Sequence, residues 1–322
     1  MLKKIVLEKI VLKKMMLRKI LTRASGAALL LLCLASRARA AAWVTFPASW
    51  DVGQAFAVSI TSDINYTDPT VTWLKRTVSL DVEAGGEGRV SYALLGSYVR
   101  DVRPGEYPIL FEFTQGRQRF HVTGRITLLA RKYPEEHLKV QPRMVTPDRK
   151  EQPRIKREAA LVGAAKRRVT VMRRWTTPPH PPLGGNLTLT SHYGFRRVYN
   201  GRPRGQHGGA DLRAPTGTQV LAPFAGTVIL TGHHYYAGKS VYIDSGNGVL
   251  TCFFHLDEIG VEEGDQIEKG QAVGKSGATG RVTGAHLHFG LCLAGQFVDP
   301  MPLLETSVAR LLEKAQREKV TD

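Results

Sequence analysis

The sequence predicts a mainly β protein: an N-terminal β-sandwich, immunoglobulin-like in outline, then a mainly antiparallel β-sheet domain ending in a C-terminal helix. Three observations predict it. Residues 43 to about 130 form short runs with period-two spacing between turn signals. From Gly184 onward the composition turns glycine-rich and strand-like, and the closing stretch 303–319 carries apolar residues at helical spacing.

The first 40 residues stand apart from that fold. They are studded with Lys and Arg, carry a short apolar run over 27–35, and end in Ala38-Arg39-Ala40, which fits a small-residue cleavage site. The run is too short to cross a bilayer, so a signal peptide cleaved after Ala40 is expected, with no integral membrane segment afterwards. A start at Met15 or Met16 would leave a signal of ordinary length. A lipidated Cys33 is the competing reading, opposed by Leu31-Leu32 where small residues are expected. The destination is the periplasm or cell envelope, or the exterior.

Of the formal charge of +17, the first 40 residues hold ten Lys/Arg and one Glu, so processing leaves about +8. That balance suits an anionic envelope polymer. It is not accompanied by any nucleic-acid-binding motif, so no nucleic-acid partner is expected. Only Cys252 and Cys292 survive processing; export permits a disulfide, and two buried free thiols is the preferred reading.

Within 41–130 the expected strands are 55–62, 70–74, 77–82, 88–95, 106–114 and 118–129, separated by turns such as Gly85-Gly86 and Pro104-Gly105. This region holds no cluster of His, Cys or acidic residues and is assigned no chemistry. Residues 131–182 form a charged, partly helical linker. Thr146-Pro147 reads as an N-cap and first helical position for a helix to about Arg168, which must absorb Pro153. A strand over 169–175 and the stiff connector Pro178-Pro179-His180-Pro181-Pro182 follow. The linker helix is read as a solvated packing element rather than a binding element. The domain 183–322 offers strands at 220–223, 226–230, 240–243, 248–253, 264–267 and 271–274. Leu304, Val308, Leu311, Leu312 and Ala315 make the stripe of the closing helix.

Two segments carry chemistry. In Ala285-His286-Leu287-His288 the imidazoles are two positions apart, so on a strand both project to one face. In His207-Gly208-Gly209-Ala210-Asp211 the glycines argue against a helix, and an extended backbone turns His207 and Asp211 the same way. If the two segments share a sheet, a His/Asp/His set converges, which is the ligand type of a catalytic zinc. A lone His207 would more often be a turn or core residue; Asp211 and the downstream His-x-His reverse that. His192, His233 and His234 lie in turn-like contexts, and His233-His234 is read as a solvated hairpin in preference to an adventitious metal site. Arg196 and Arg197 either hold substrate carboxylates bidentately or stay solvated.

The stretch from about Thr190 to Leu303 resembles the lysostaphin-type (LytM-type) zinc metallopeptidases, which cut peptide bridges or stems in bacterial peptidoglycan. The matching residues are Ser191-His192-Tyr193-Gly194-Phe195-Arg196, His207-x-Gly209-x-Asp211, Ala214-Pro215-Thr216-Gly217-Thr218-x-Val220, Gly226-Thr227-Val228, Phe254-His255-Leu256, Ser276-Gly277-x-Thr279-Gly280 and His286-x-His288-Phe289. Phe254 and Leu291 depart from the usual pattern, and neither is a ligand position. The resemblance implies one zinc per chain held by His207, Asp211 and His288, with water as fourth ligand. It implies His286 as general base or water-orienting group and His255 as donor to the oxyanion or the leaving amine. The substrates implied are peptidoglycan peptides, and the bond cleaved, a D,D cross-link or a glycine bridge, stays open.

A second resemblance, Gly226-Thr227-Val228 with Gly264-Asp265-x-Ile267 and Gly270-x-x-Val273-Gly274, is to biotinyl and lipoyl carrier domains. No Met-Lys-Met occurs, so it implies a related β-sheet topology and not a carrier function. The rival readings are a non-catalytic module that activates another cell-wall hydrolase such as an amidase, and simple polymer binding by the basic surface. Relatives of the activating kind lack the ligands present here. The sandwich is expected to orient the enzyme, make a regulatory contact with a partner, or occlude the cleft.

Overall fold

The structure, a computed structural model, describes residues 41–86 and 88–320; the expected signal segment lies outside the described residues. Two five-stranded sheets face each other over the N-terminal part. One runs Gln316–Lys319, Ala42–Phe46, Phe56–Ser62, Gly88–Leu95, Glu83–Gly85; the other runs Ser49–Asp51, Gln118–Leu129, Gly105–Gln115, Thr67–Trp73, Arg76–Ser79. Alternating side chains from both close on Phe46, Phe56, Trp73, Phe111 and Phe113, all nearly fully buried. Each such side chain contributes about 1.5–3 kcal/mol by leaving water. The strands expected at 88–95 and 118–129 form with those bounds.

The last strand differs from expectation. The closing segment does carry a helix, but only over Val308–Leu312, capped by Ser307 Oγ accepting from the Arg310 amide and preceded by a 3-10 turn at Pro302–Glu305. Gln316–Lys319 is instead a strand, antiparallel to Ala42–Phe46 in the sandwich. Local periodicity cannot reveal an unpaired sheet edge some 270 residues upstream. The apolar stripe does pack as expected: Val308, Leu311 and Leu312 sit against a cluster that draws Ala55, Ala57 and Leu94 from the sandwich and Val249, Leu291 and Val298 from the C-terminal sheet. Close approach there requires Gly96, where a Cβ would meet Val298 and, at 2.9 Å, the Gln54 carbonyl.

Two linker expectations are corrected. Thr146 ends a short helix, Pro142–Val145, rather than capping the long one, which spans Gln152–Arg167 with Pro153 in its first turn. There a missing N–H removes no intrahelical bond, so the helix starts at the proline instead of absorbing it. Residues 169–175 form no strand; they run irregularly along the 244–247 turn, where Asn247 N–H donates to the Thr170 carbonyl (2.7 Å) and Arg174 N–H to the Ser245 carbonyl (2.8 Å).

The C-terminal part is a ten-stranded sheet with antiparallel pairs throughout. Its main path runs Leu189–Ser191, Ala210–Leu212, Leu287–Leu293, Val249–Ile259, Gly238–Asp244, Gly226–His234, Gln266–Ile267. Its core includes Leu212, Val241, Ile243, Phe253, Leu256, Leu287 and Phe289. A small third sheet joins Glu135–Leu138 of the linker, in parallel, to the hairpin Arg196–Tyr199 and Arg202–Gln206. Cys252 and Cys292 are buried free thiols on neighbouring strands, and burial pushes the Cys292 thiol up to about 12.

Candidate active site

Three strands bring the chemistry together. Asp211 lies directly opposite His288 in the register of Ala210–Leu212 with Leu287–Leu293, and opposite Ser191 on its other side. Because Leu287 and Phe289 alternate into the core, His286 and His288 both turn to the opposite face, where they line one cleft. His207 arrives from the loop after Arg202–Gln206. Its Nε2 lies 3.0 Å from Asp211 Oδ1 and 2.9 Å from His288 Nδ1, and His288 Nδ1 lies 2.8 Å from Asp211 Oδ1. All three side chains are buried, and among the described residues this is the group that could hold a metal ion. Gly209 is obligatory here, since a Cβ would approach the Phe289 carbonyl at 2.5 Å and His288 Nε2 at 2.7 Å.

The hydrogen bonds set the tautomer of His207. Its Nδ1–H donates to the His192 carbonyl (2.8 Å), which turns Nε2 on the carboxylate: protonated, Nε2 donates to Asp211, and neutral, it is a lone pair for a metal. Burial opposes ionisation of Asp211, but the charge of His207 and hydrogen bonds from His207 and His288 outweigh it and hold the carboxyl well below the usual range. Two imidazole nitrogens and one carboxylate oxygen converging in a buried site are the donor set of zinc, and the residues present fit that ion.

His255 and His286 stand beside this group. Their ring centroids are 4.9 Å apart, and His286 Nε2 is 3.7 Å from Asp211 Oδ1. In each ring Nδ1–H donates to a backbone carbonyl, that of Thr279 for His255 (2.9 Å) and that of Gly284 for His286 (2.8 Å), so both Nε2 atoms are bare. Burial, followed by the neighbouring charges of His286 and His288, pushes His255 well below the ordinary histidine range. Strict alternation would send His255 into the core with Phe253. Its φ of +66° and irregular pairing on both sides of it turn His255 to the cleft instead, beside Phe254, which stacks on His288 at 5.0 Å.

Residues 205–300 match Peptidase family M23. The chain carries an M23 peptidase domain. Peptidoglycan DD-endopeptidase ShyA of Vibrio cholerae is 39% identical over 121 residues, 37% of this chain and 28% of that protein. DD-carboxypeptidase/endopeptidase Mpg of Neisseria meningitidis is 39% identical over 95 residues, 30% of this chain and 22% of that protein. The chain thus spans less than a third of the length of these relatives. A crystal structure assigned to peptidase M23 from Pseudomonas aeruginosa superposes with a TM-score of 0.55 at 29% identity, covering 74% of this chain and 92% of that one.

The cleft of the M23 domain is about 540 Å³ and has walls that the sequence did not reveal. Leu138 and Val140 of the linker line it, and Val140 exchanges hydrogen bonds with Asn200, its N–H donating to Oδ1 (3.0 Å) and its carbonyl accepting from Nδ2 (2.8 Å). Arg281 lies over both Tyr199 and Tyr236, at 4.4 and 4.6 Å from their ring centroids. Period-two spacing in Glu136-His137-Leu138 was the one available signal for the linker wall. Arg196 stays solvated, 61% exposed and paired with Glu135 at the surface, whereas Arg197 is largely buried and paired with Glu136 and Asp211. His233 and His234 form no metal group among the described residues; they end the strand Gly226–His234, where His233 is exposed but His234, against the solvated reading, is buried with Nδ1 3.3 Å from the Tyr242 hydroxyl.

Proposed function

We propose that the protein is an exported zinc endopeptidase that hydrolyses peptide bonds in bacterial peptidoglycan, acting in the periplasm or cell envelope. The observation that carries this is the convergence of His207, Asp211 and His288 within 3.0 Å of one another, flanked by two further imidazoles with bare Nε2 atoms. The names of the relatives, peptidoglycan DD-endopeptidases, support the substrate. We read 41–130 as a sandwich domain, 131–182 as a linker and 183–322 as the catalytic domain.

His207, Asp211 and His288 would hold the ion. Zinc bound there supplies Lewis acidity toward the scissile carbonyl and toward a water molecule. The remaining work falls to the chain. His286, its tautomer pinned by Gly284, presents a lone pair to the cleft and takes the proton of an attacking water. His255 is kept neutral by burial, so it acts as a relay: it takes from His286, 4.9 Å away between ring centroids, the proton that came from the water, and gives it to the leaving amine as the C–N bond breaks. Arg213 and Arg281 make the cleft attractive to the carboxylates of stem peptides.

The test is zinc stoichiometry after chelation and reloading, together with muropeptide release from purified sacculi. His288→Ala is expected to lose zinc. His286→Ala is expected to keep it while turnover falls about 10²–10⁴-fold. A mature protein that holds no zinc and cuts no sacculi, yet stimulates an amidase, would sink the proposal.

A further inference from the structure

We propose that Glu136, supplied by the linker strand Glu135–Leu138, is a positioning residue for the metal centre and acts on Asp211 through Arg197. The inference rests on the zinc reading above. The two oxygens of Asp211 have different partners: Oδ1 faces the His207 and His288 nitrogens, and Oδ2 accepts from Arg197 Nη2 at 2.7 Å. Glu136 stands behind Arg197 as an ion-pair partner, with no hydrogen bond from Arg197 Nε among the described residues. Arg197 Nε lies 2.9 Å from Glu136 Oε2, and Ser191 Oγ, which accepts from Arg197 Nη2 at 2.8 Å, donates to Glu136 Oε2 at 2.9 Å. The parallel register sets Glu136 opposite Arg197, so the linker backbone places the carboxylate. Glu136, Ser191 and Arg197 all lie outside the matched span 205–300.

Two physical consequences follow. With Oδ2 committed to a guanidinium, Asp211 offers one oxygen to a metal, which preserves an open position beside it. The same guanidinium, uncompensated, would repel a divalent cation a few ångströms away in a buried site. Glu136 cancels that charge. It therefore orients the ligand carboxylate and keeps the site hospitable to a cation from the wall of the cleft, acting on Asp211 through Arg197.

The experiment is zinc affinity of the full mature chain, measured by competition with a chelator of known strength, for wild type, Glu136→Gln, Arg197→Met and the double variant. Glu136→Gln is expected to raise the zinc Kd about 10- to 100-fold, with one zinc per chain restored at saturation. In the Arg197→Met background the same change should move Kd less than about threefold, because the effect travels through Arg197. A merely structural ion pair would lower the melting temperature of the zinc-free protein and leave Kd alone. If Glu136→Gln does not fold, Glu136→Asp, one methylene short of Arg197, carries the test with a smaller expected rise. A Kd within about twofold of wild type, or an equal loss with and without Arg197, overturns the inference. Wild type that binds no zinc overturns it together with the reading on which it rests; wild type that binds zinc beside an unaffected variant overturns this inference only.

Discussion

His255 combines three departures from ordinary strand behaviour: a positive φ, a buried imidazole and a depressed pKa. The last has a testable sign. Unfolded, the ring titrates near ~6.5 and binds a proton that the native site refuses, so native stability is intact at neutral pH and falls as the pH drops below that value. Each such proton contributes a slope of at most about 1.4 kcal/mol per pH unit. His255→Gln removes one, so urea midpoints of chelator-treated variant should fall less steeply between about pH 7 and pH 5 than those of wild type. Parallel curves would count against a depressed His255. His286 and His288 were legible as a pair because strand alternation is a local rule, and Asp211 faces His288 from the neighbouring strand; His207 reaches the set from a loop, where its ligand type and its spacing to Asp211 were the signal. His255 was legible only through the family resemblance, since a bulge that reverses alternation leaves no mark in spacing.

Elements were readable where their own pattern decided them and unreadable where a distant partner did. Gly88–Leu95 and Gln118–Leu129 are long, alternate cleanly and end in turns, so their bounds followed from sequence. Gln316–Lys319 is four exposed residues with no apolar signal, and it is a strand only because Ala42–Phe46 offers an open edge. Its net stabilisation is small, since about 1 kcal/mol per hydrogen bond is offset by the entropy of ordering the backbone. Truncation after Ala315 is expected to cost about 1 kcal/mol and, more visibly, to bare the edge of Ala42–Phe46 for self-association. Urea midpoints and light scattering would show it; unchanged scattering would mean the strand does not protect that edge. The linker strand Glu135–Leu138 is the functional counterpart, four residues whose importance comes from what they pair with.

Across the whole molecule, Tyr193 ties sandwich and M23 domain together. Its hydroxyl donates to the Phe297 carbonyl (2.8 Å) and accepts from the Val99 amide (3.2 Å), and its ring packs against Tyr98 and Tyr133. Next to it, the His192 carbonyl holds the ring of His207, so the domain contact and the metal ligand share one short segment. Tyr193→Phe strips both buried partners and is expected to cost about 1–3 kcal/mol, lowering the melting temperature while zinc stoichiometry stays at that of wild type. An unshifted melting temperature would show that the contact contributes nothing to stability.

The sequence by itself determined the mainly β class, the order of its parts and the metal-ligand candidates, because period, turn chemistry and ligand type are written in neighbouring residues. Only the tertiary structure decided that the chain's last strand returns to the sandwich, that His255 faces the cleft, and that Glu136 and Arg197 stand behind Asp211. Those outcomes depend on which distant backbone edges and opposite charges meet. Such pairings are settled by the energy of the assembled sheet and not by local preference.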